Sequence, residues 1–161
     1  MPKLSRNIAF SYTDTLTDYL DKIRQIPPEV QKKMLKAEAE IIAEAERQTA
    51  RSMLSVNTGN YYDEATGVAQ SIAVGQMRKN RTDTMYHTNV IFKGSQHGVR
   101  LGAIAFYNEY GALHMMRGSL NDGNAWIQKP RPFIKTAINR ASGEAVRAAE
   151  EIFFNDFINK P

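Results

Sequence analysis

The sequence predicts an α+β fold in which a small antiparallel sheet packs against a long N-terminal helix and a C-terminal helix. Three observations predict it. Apolar residues recur at helical spacing over residues 28–55 and again over 132–158, and the period changes to two over 71–93. At 161 residues the chain can build one substantial core but not two, so we expect a single domain over 1–161.

The N-terminal part should be helical. Residues 7–26 read as a short strand followed by an amphipathic helix that Pro27 ends. Pro28 suits the first position of the next helix, because its missing N–H is not needed there. The stripe that begins at Val30 continues to about residue 55, roughly 40 Å of helix. Such a helix either meets another subunit over part of its length or lies across the sheet, and the pattern fits both.

The middle of the chain should form a β-hairpin over 71–93, after a loop at 57–67. In its second half Tyr86, Thr88, Val90 and Phe92 alternate with more polar residues, which predicts one buried face. Its connection should place Arg78, Lys79 and Arg81 close together at an exposed tip.

Two short stretches then bracket a polar segment. Residues 103–111 fit either a short helix or a strand, and we favour the helix because Gly111 is placed as a C-terminal cap. Residues 112–128 contain several Gly and Asn residues and predict a mobile loop. Pro132 fits the first position of the C-terminal helix over 132–158, in which Gly143 should cost roughly 1 kcal/mol relative to Ala.

The charge is unevenly distributed. The chain carries +4 overall, but residues 71–140 carry +7, residues 1–70 carry −1 and residues 141–161 carry −2. A basic middle segment fits a surface that meets phosphate or an acidic partner, and it equally fits a solvated surface. The candidate contacts with phosphate or an acidic partner are Arg78, Lys79, Arg81 and Arg117.

No catalytic pattern stands out. The chain has no cysteine, which excludes disulfides and thiolate chemistry, and His87, His97 and His114 lack metal-ligand spacing. Residues 94–98 lack the Lys-Ser/Thr of a phosphate-binding loop, and no Gly-x-Ser-x-Gly occurs. We therefore expect a protein that is not an enzyme and has no cofactor or metal. We also expect no signal peptide and no membrane span.

The order of these features resembles the gene-product-ten-like tail-component family of long-tailed bacteriophages. The resemblance covers roughly residues 29–158, and its most specific parts are Asn108-Glu-Tyr-Gly111 and Arg131-Pro-Phe133. The family's Glu-aromatic-Gly falls on Glu109, Tyr110 and Gly111, and its Pro-Phe on Pro132 and Phe133. The chain departs from the family in Ala112, where Thr or Ser is common, and in the Met115-Met116 pair.

The resemblance implies a structural neck, head–tail joining or tail-completion subunit, similar to a tail terminator. Such subunits assemble in the host cytoplasm into a ring, commonly sixfold, between the head connector and the tail tube of the virion. Expected partners are further copies of the chain, neighbouring neck, connector or tail-tube proteins, and packaged DNA through non-specific contacts. The resemblance does not separate stopper, terminator and completion factor.

A second function class also fits the sequence, a small basic protein that binds nucleic acid without sequence specificity. The charge of Glu109 has two explanations, a salt bridge to Arg131 within the subunit or a contact between subunits.

Overall fold

The computed structural model describes residues 25–54, 64–82, 85–115 and 125–159. Within these ranges the chain forms four helices, eight short strands and a π-helical turn, Phe154–Ile158. The helices are α1 (Pro28–Met53), α2 (Glu64–Ser71), α3 (Leu101–Tyr110) and α4 (Phe133–Phe153). The strands are β1 (Ile72–Val74), β2 (Arg78–Lys79), β3 (Tyr86–His87), β4 (Val90–Phe92), β5 (Ser95–Gln96), β6 (Val99–Arg100), β7 (Ala112–Met115) and β8 (Ala125–Gln128).

The α+β fold class is confirmed, with α1 and α4 as its largest packed pair. The two helices are antiparallel. Lys33 Nζ near the start of α1 lies 2.6 Å from Asp156 Oδ2 beyond the end of α4, whereas Ala50 and Leu54 share a core cluster with Phe133 at the other end. Their buried stripes are largely alanine, which lets helix axes approach closely. These alanines are Ala39, Ala43 and Ala50 on α1 and Ala137, Ala141 and Ala145 on α4.

The hairpin predicted over 71–93 is observed as two antiparallel ladders. Strand β1 pairs with β4, with Val74 opposite Val90, and β2 pairs with β3, with Arg78 opposite His87. Between the Val74–Val90 pair and the Arg78–His87 pair, the first strand has three residues, 75–77, and the second has two, 88 and 89. One strand therefore carries an extra residue, which defines a β-bulge in the middle of the hairpin.

The short helices α2 and α3, which precede and follow the hairpin in the chain, pack against each other and complete the core. Val68 on α2 and Ala105 on α3 are at most 1% exposed, and they join the same cluster as Phe133 and Ile72. The ring of Phe133 packs edge-on against Phe92, with ring centroids 6.4 Å apart. This aromatic contact ties the start of α4 to the sheet.

Two predicted loops are wrong in part. The loop expected over 57–67 gives way to α2 from Glu64, because Ala65, Val68 and Ala69 form a buried helical stripe that Gly67 does not interrupt. The loop expected over 112–128 begins and ends in paired strands, with Ala112 opposite Gln128. The strand and helix predicted over 7–26 lie outside the described residues, except for the last two positions.

The remaining boundaries differ only slightly from expectation. The helix predicted over 28–55 runs from Pro28 to Met53, and that predicted over 103–111 runs from Leu101 to Tyr110. Pro132 precedes the first helical residue of α4 instead of occupying it, and the π-helical turn continues α4 to Ile158. None of the described helices is long and apolar enough to cross a membrane.

Candidate functional site

The two stretches that carry the family resemblance meet at one place, which we call the junction: Asn108 to Gly111 at the end of α3 and Gln128 to Phe133 before α4. Its central contact is made by Glu109. One carboxylate oxygen accepts a hydrogen bond from the Ile134 N–H at 2.8 Å, and the other accepts one from the Lys135 N–H at 3.1 Å. The carboxylate therefore caps the N-terminus of α4, where unpaired N–H groups and the helix dipole favour a negative charge.

The salt bridge that the sequence suggested between Glu109 and Arg131 is not formed. Glu109 is 7% exposed and is occupied by the backbone of α4. The Arg131 guanidinium instead lies 3.4 Å from Glu64 at the start of α2, with the arginine side chain 40% exposed. The prediction paired Glu109 with the nearest positive charge in the motif. The first N–H groups of α4 have no partner within the helix, and the Glu109 carboxylate accepts hydrogen bonds from two of them.

Asn108 locks the two sides of the junction together. Its side chain is fully buried, and its amide donates to the Ile104 carbonyl at 3.0 Å. Its side-chain oxygen accepts a bond from Gln128 Nε2 at 3.0 Å, and its backbone carbonyl accepts one from the Arg131 N–H at 2.6 Å. One asparagine thus connects α3, β8 and the segment before α4.

Gly111 is the backbone turn that brings the sides together. Its φ is +79° and its ψ is 166°, a region that only glycine occupies readily. A Cβ here would lie 2.7 Å from the Gln128 carbonyl oxygen and 3.2 Å from Pro130 Cδ. The position therefore requires glycine for conformation and for space.

A second carboxylate, Glu46 of α1, acts electrostatically on the junction. It is 4% exposed, and its Oε2 has no hydrogen-bond partner among the described residues. Burial, and then the negative charge of Glu109, raise the pKa of Glu46 to about 7, against an opposing effect of Arg47. Near neutral pH Glu46 is therefore a buried acid that is only partly ionised.

Three of the four predicted basic residues lie in the described part of the chain. Arg78 and Lys79 are exposed on β2 and Arg81 is exposed just beyond it, so all three lie at the outer end of the hairpin as expected. Arg117 lies outside the described residues. Arg78 and Lys79 are neighbours in a strand and therefore point to opposite faces of the ladder.

A patch of large apolar side chains is exposed next to the junction. Phe106, Tyr107 and Tyr110 on α3 are 56%, 41% and 68% exposed. The Phe106 ring contacts Tyr107 edge-on, with ring centroids 6.3 Å apart, and Tyr110 at a tilt, with centroids 4.9 Å apart. Ile127 of β8 is 76% exposed. We call Phe106, Tyr107 and Tyr110 the aromatic face of α3.

Among the residues with described side chains, no group of three or more His, Asp or Glu could hold a metal ion. His87 and His97 are both exposed, in β3 and in the turn between β5 and β6. The Glu109 carboxylate is committed to backbone hydrogen bonds on both oxygens.

Comparisons with known protein families, with curated proteins and with solved structures find no match to this chain.

Sequence reasoning named Glu109, Tyr110, Gly111, Arg131, Pro132 and Phe133, and the structure brings these residues together. It missed Asn108 as the connecting residue and Glu46 as the buried acid. Glu46 carried one available signal, because it follows Ala39 and Ala43 on the apolar stripe of α1. Asn108 carried none beyond its place in the motif, since its partners come from distant parts of the chain.

Proposed function

We propose that the chain is a structural subunit of a bacteriophage neck, a head–tail joining or tail-completion protein that acts as a ring and not as an enzyme. The resemblance in motif order is one support, and the α+β arrangement it implied is another. Apart from Tyr110, which belongs to the aromatic face of α3, the motif residues contribute indirectly. They hold α3 and α4 in a fixed relation, and the surfaces of those helices make the contacts with other subunits.

The observation that carries the proposal is the aromatic face of α3. Three aromatic side chains exposed together on one short helix are unusual for a protein that remains alone in water, and such patches mark interaction surfaces. Aromatic residues are also enriched where protein interfaces gain most of their binding energy. The junction immediately beside them gives the face a rigid support.

A ring needs two different surfaces on each subunit, because head-to-tail contacts join one patch to another. The exposed side of α4 and the π-helical turn after it supply further apolar surface. Ile138, Val146 and Phe154 are 42%, 47% and 52% exposed. In the proposed ring the aromatic face of α3 meets a neighbouring copy or the next protein along the neck, and α4 supplies the complementary apolar surface.

The proposal is tested by deleting the gene from the phage or prophage that encodes the chain and supplying variants in trans. We expect the deletion to yield filled heads and separate tails in electron micrographs, with wild-type protein restoring joined particles. The double variant Phe106→Ser/Tyr110→Ser should fail to restore them while its thermal unfolding stays close to wild type.

Met85→Ser is the matched control, since Met85 is 47% exposed on the hairpin, away from the junction. It should restore joined particles as well as wild type does. Complete infectious particles from the deletion would refute the neck role. Full rescue by the double variant would be compatible with the neck role. It would show that the aromatic face of α3 is not needed for that role.

A further inference from the structure

The bulge in the hairpin decides which basic side chains share a face. On the first strand Val74 and Arg78 are four residues apart, so in a regular strand they would lie on the same side. Val74 packs against the core cluster. Because the bulge inserts one residue between their pairing positions, Arg78 turns to the opposite face and stands beside His87.

Two bonds fix this geometry. The Gly75 N–H donates to the Asn89 carbonyl at 2.7 Å, and the Thr88 hydroxyl donates to the Gly75 carbonyl at 3.0 Å. A Cβ at Gly75 would lie 2.9 Å from the same Asn89 carbonyl oxygen. The strands approach closely here, so the bulge is a built feature of the hairpin and not a frayed end.

The outer face made in this way is a groove with a volume of about 430 Å³. Its charged lining is basic, and its remaining polar lining consists of amide and imidazole groups that can donate hydrogen bonds. No carboxylate is among the described residues that line it. The lining residues are Val74, Gly75, Gln76, Arg78, His87, Asn89, Ile91 and Lys93.

Arg78 and Lys93 stand toward opposite ends of this groove. Arg78 faces His87, and six residues of largely extended chain from His87 to Lys93 cover about 20 Å. Neither Arg78 nor Lys93 forms a salt bridge with a described carboxylate. A duplex rises about 3.4 Å per base pair, so the distance between the two cations corresponds to roughly six base pairs measured along the duplex axis.

We propose that this outer hairpin groove binds the phosphate backbone of nucleic acid without reading its sequence, with Arg78 and Lys93 as the phosphate contacts. None of the described residues that line the groove is Phe, Tyr or Trp, which argues against a platform for stacking successive bases. Cations with neutral donors between them suit a regularly spaced polyanion. Lys79, although adjacent to Arg78, lies on the other face of the ladder, opposite Tyr86, and takes no part.

The inference is independent of the neck role, because it concerns the purified protein. The test measures fluorescence anisotropy with a labelled duplex of about 30 base pairs over roughly 50 to 300 mM NaCl. Arg78→Gln and Lys93→Gln should each reduce the magnitude of the salt slope by about one and weaken binding about tenfold near 0.1 M salt.

Lys79→Gln is the matched control. It removes the same charge from the neighbouring residue of the same strand, and its affinity should stay within about twofold of wild type. All three residues are exposed, and circular dichroism checks that each variant is folded. Equal losses of duplex affinity for Arg78→Gln and Lys79→Gln would indicate a general electrostatic attraction to the hairpin tip. That result would contradict binding in the groove.

An acidic protein segment is the competing occupant. A labelled poly-glutamate peptide of similar charge serves as its probe under the same conditions. Groove-dependent binding of the peptide with no measurable binding of duplex would overturn the proposal, as would no binding of either probe. Duplex binding that Arg78→Gln and Lys93→Gln weaken and Lys79→Gln leaves intact supports it.

Discussion

The junction and the outer hairpin groove use polar residues in opposite ways. At the junction Asn108 and Glu109 are buried, and their side chains are bonded to backbone and to Gln128. In the groove Arg78 and Lys93 are exposed and have no salt bridge to a described residue. Polar groups that are buried and bonded specify a fold, whereas cations that are exposed and unpaired remain available to a partner.

The comparison teaches that most of the recognisable residues of this chain act inside the fold, with Tyr110 of the aromatic face as the exception. In the motif around Gly111, Asn108, Glu109 and Gly111 each meet a strict local requirement. The groove has no such signature, since any cations on the outer face would serve. Substitutions at the buried residues of the junction should therefore change stability, and those in the groove should change binding.

Phe133→Ala should have the largest effect on stability. The side chain is fully buried and packs against Phe92, so its removal should lower the free energy of unfolding by about 3–5 kcal/mol. Urea unfolding measures this change. Phe106→Ala, at an exposed aromatic residue, should stay within about 0.5 kcal/mol. Similar costs for the two variants would break the distinction between core and contact aromatics.

Gly111→Ala should cost about 2–4 kcal/mol, because it combines a strained φ with a Cβ close to the Gln128 carbonyl. Gly143→Ala is the opposite case. Gly143 lies within α4 and a Cβ there meets nothing within 4 Å, so alanine should stabilise the protein by about 0.5–1 kcal/mol. Thermal unfolding of both variants checks the signs. A neutral Gly111→Ala would contradict the geometry of the junction.

Glu46→Gln should raise stability by roughly 1–3 kcal/mol at about pH 8. Because burial and Glu109 raise the pKa of Glu46 to about 7 in the folded state, its stabilising contribution is full below the ordinary value of 4.5. That contribution is lost as the pH rises through 7. Unfolding free energies of wild type and variant should therefore agree near pH 4.5 and diverge above it. Parallel pH profiles would show that Glu46 is not held protonated.

Glu109→Ala should cost about 1–2 kcal/mol, since it removes the cap of α4. Glu109→Gln should cost less, because its amide oxygen can still accept one backbone bond. Arg131→Gln should cost at most about 1 kcal/mol, as expected for a partly exposed ion pair. Chemical denaturation of the three variants checks this order, and a larger loss for Arg131→Gln than for Glu109→Ala would contradict it.

Arg78→Gln/Lys93→Gln should have the smallest effect on stability, within about 0.5 kcal/mol of wild type. Both side chains are exposed, and neither has a described salt-bridge partner. Urea unfolding checks this expectation. A loss as large as that of Glu109→Ala would make the groove a structural element and end the contrast with the junction.

The parts of the fold that depend on local pattern were predictable. The long helices follow from spacing of three and four residues behind a proline, the hairpin from alternation, and the turn at Gly111 from a glycine after an apolar helix. The partner of Glu109 was not predictable, because its contacts lie 25 and 26 residues away. The bulge was not predictable either, because it is defined by how two strands pair and not by the sequence of one of them.

The most direct test of the proposed function is to locate the protein in finished particles. A peptide tag at the C-terminus, labelled with gold-conjugated antibody, shows its position in electron micrographs. The neck proposal predicts that the label lies where the head meets the tail, in particles that remain infectious. Label confined to the capsid shell or the distal tail, or absent from mature particles, would contradict it.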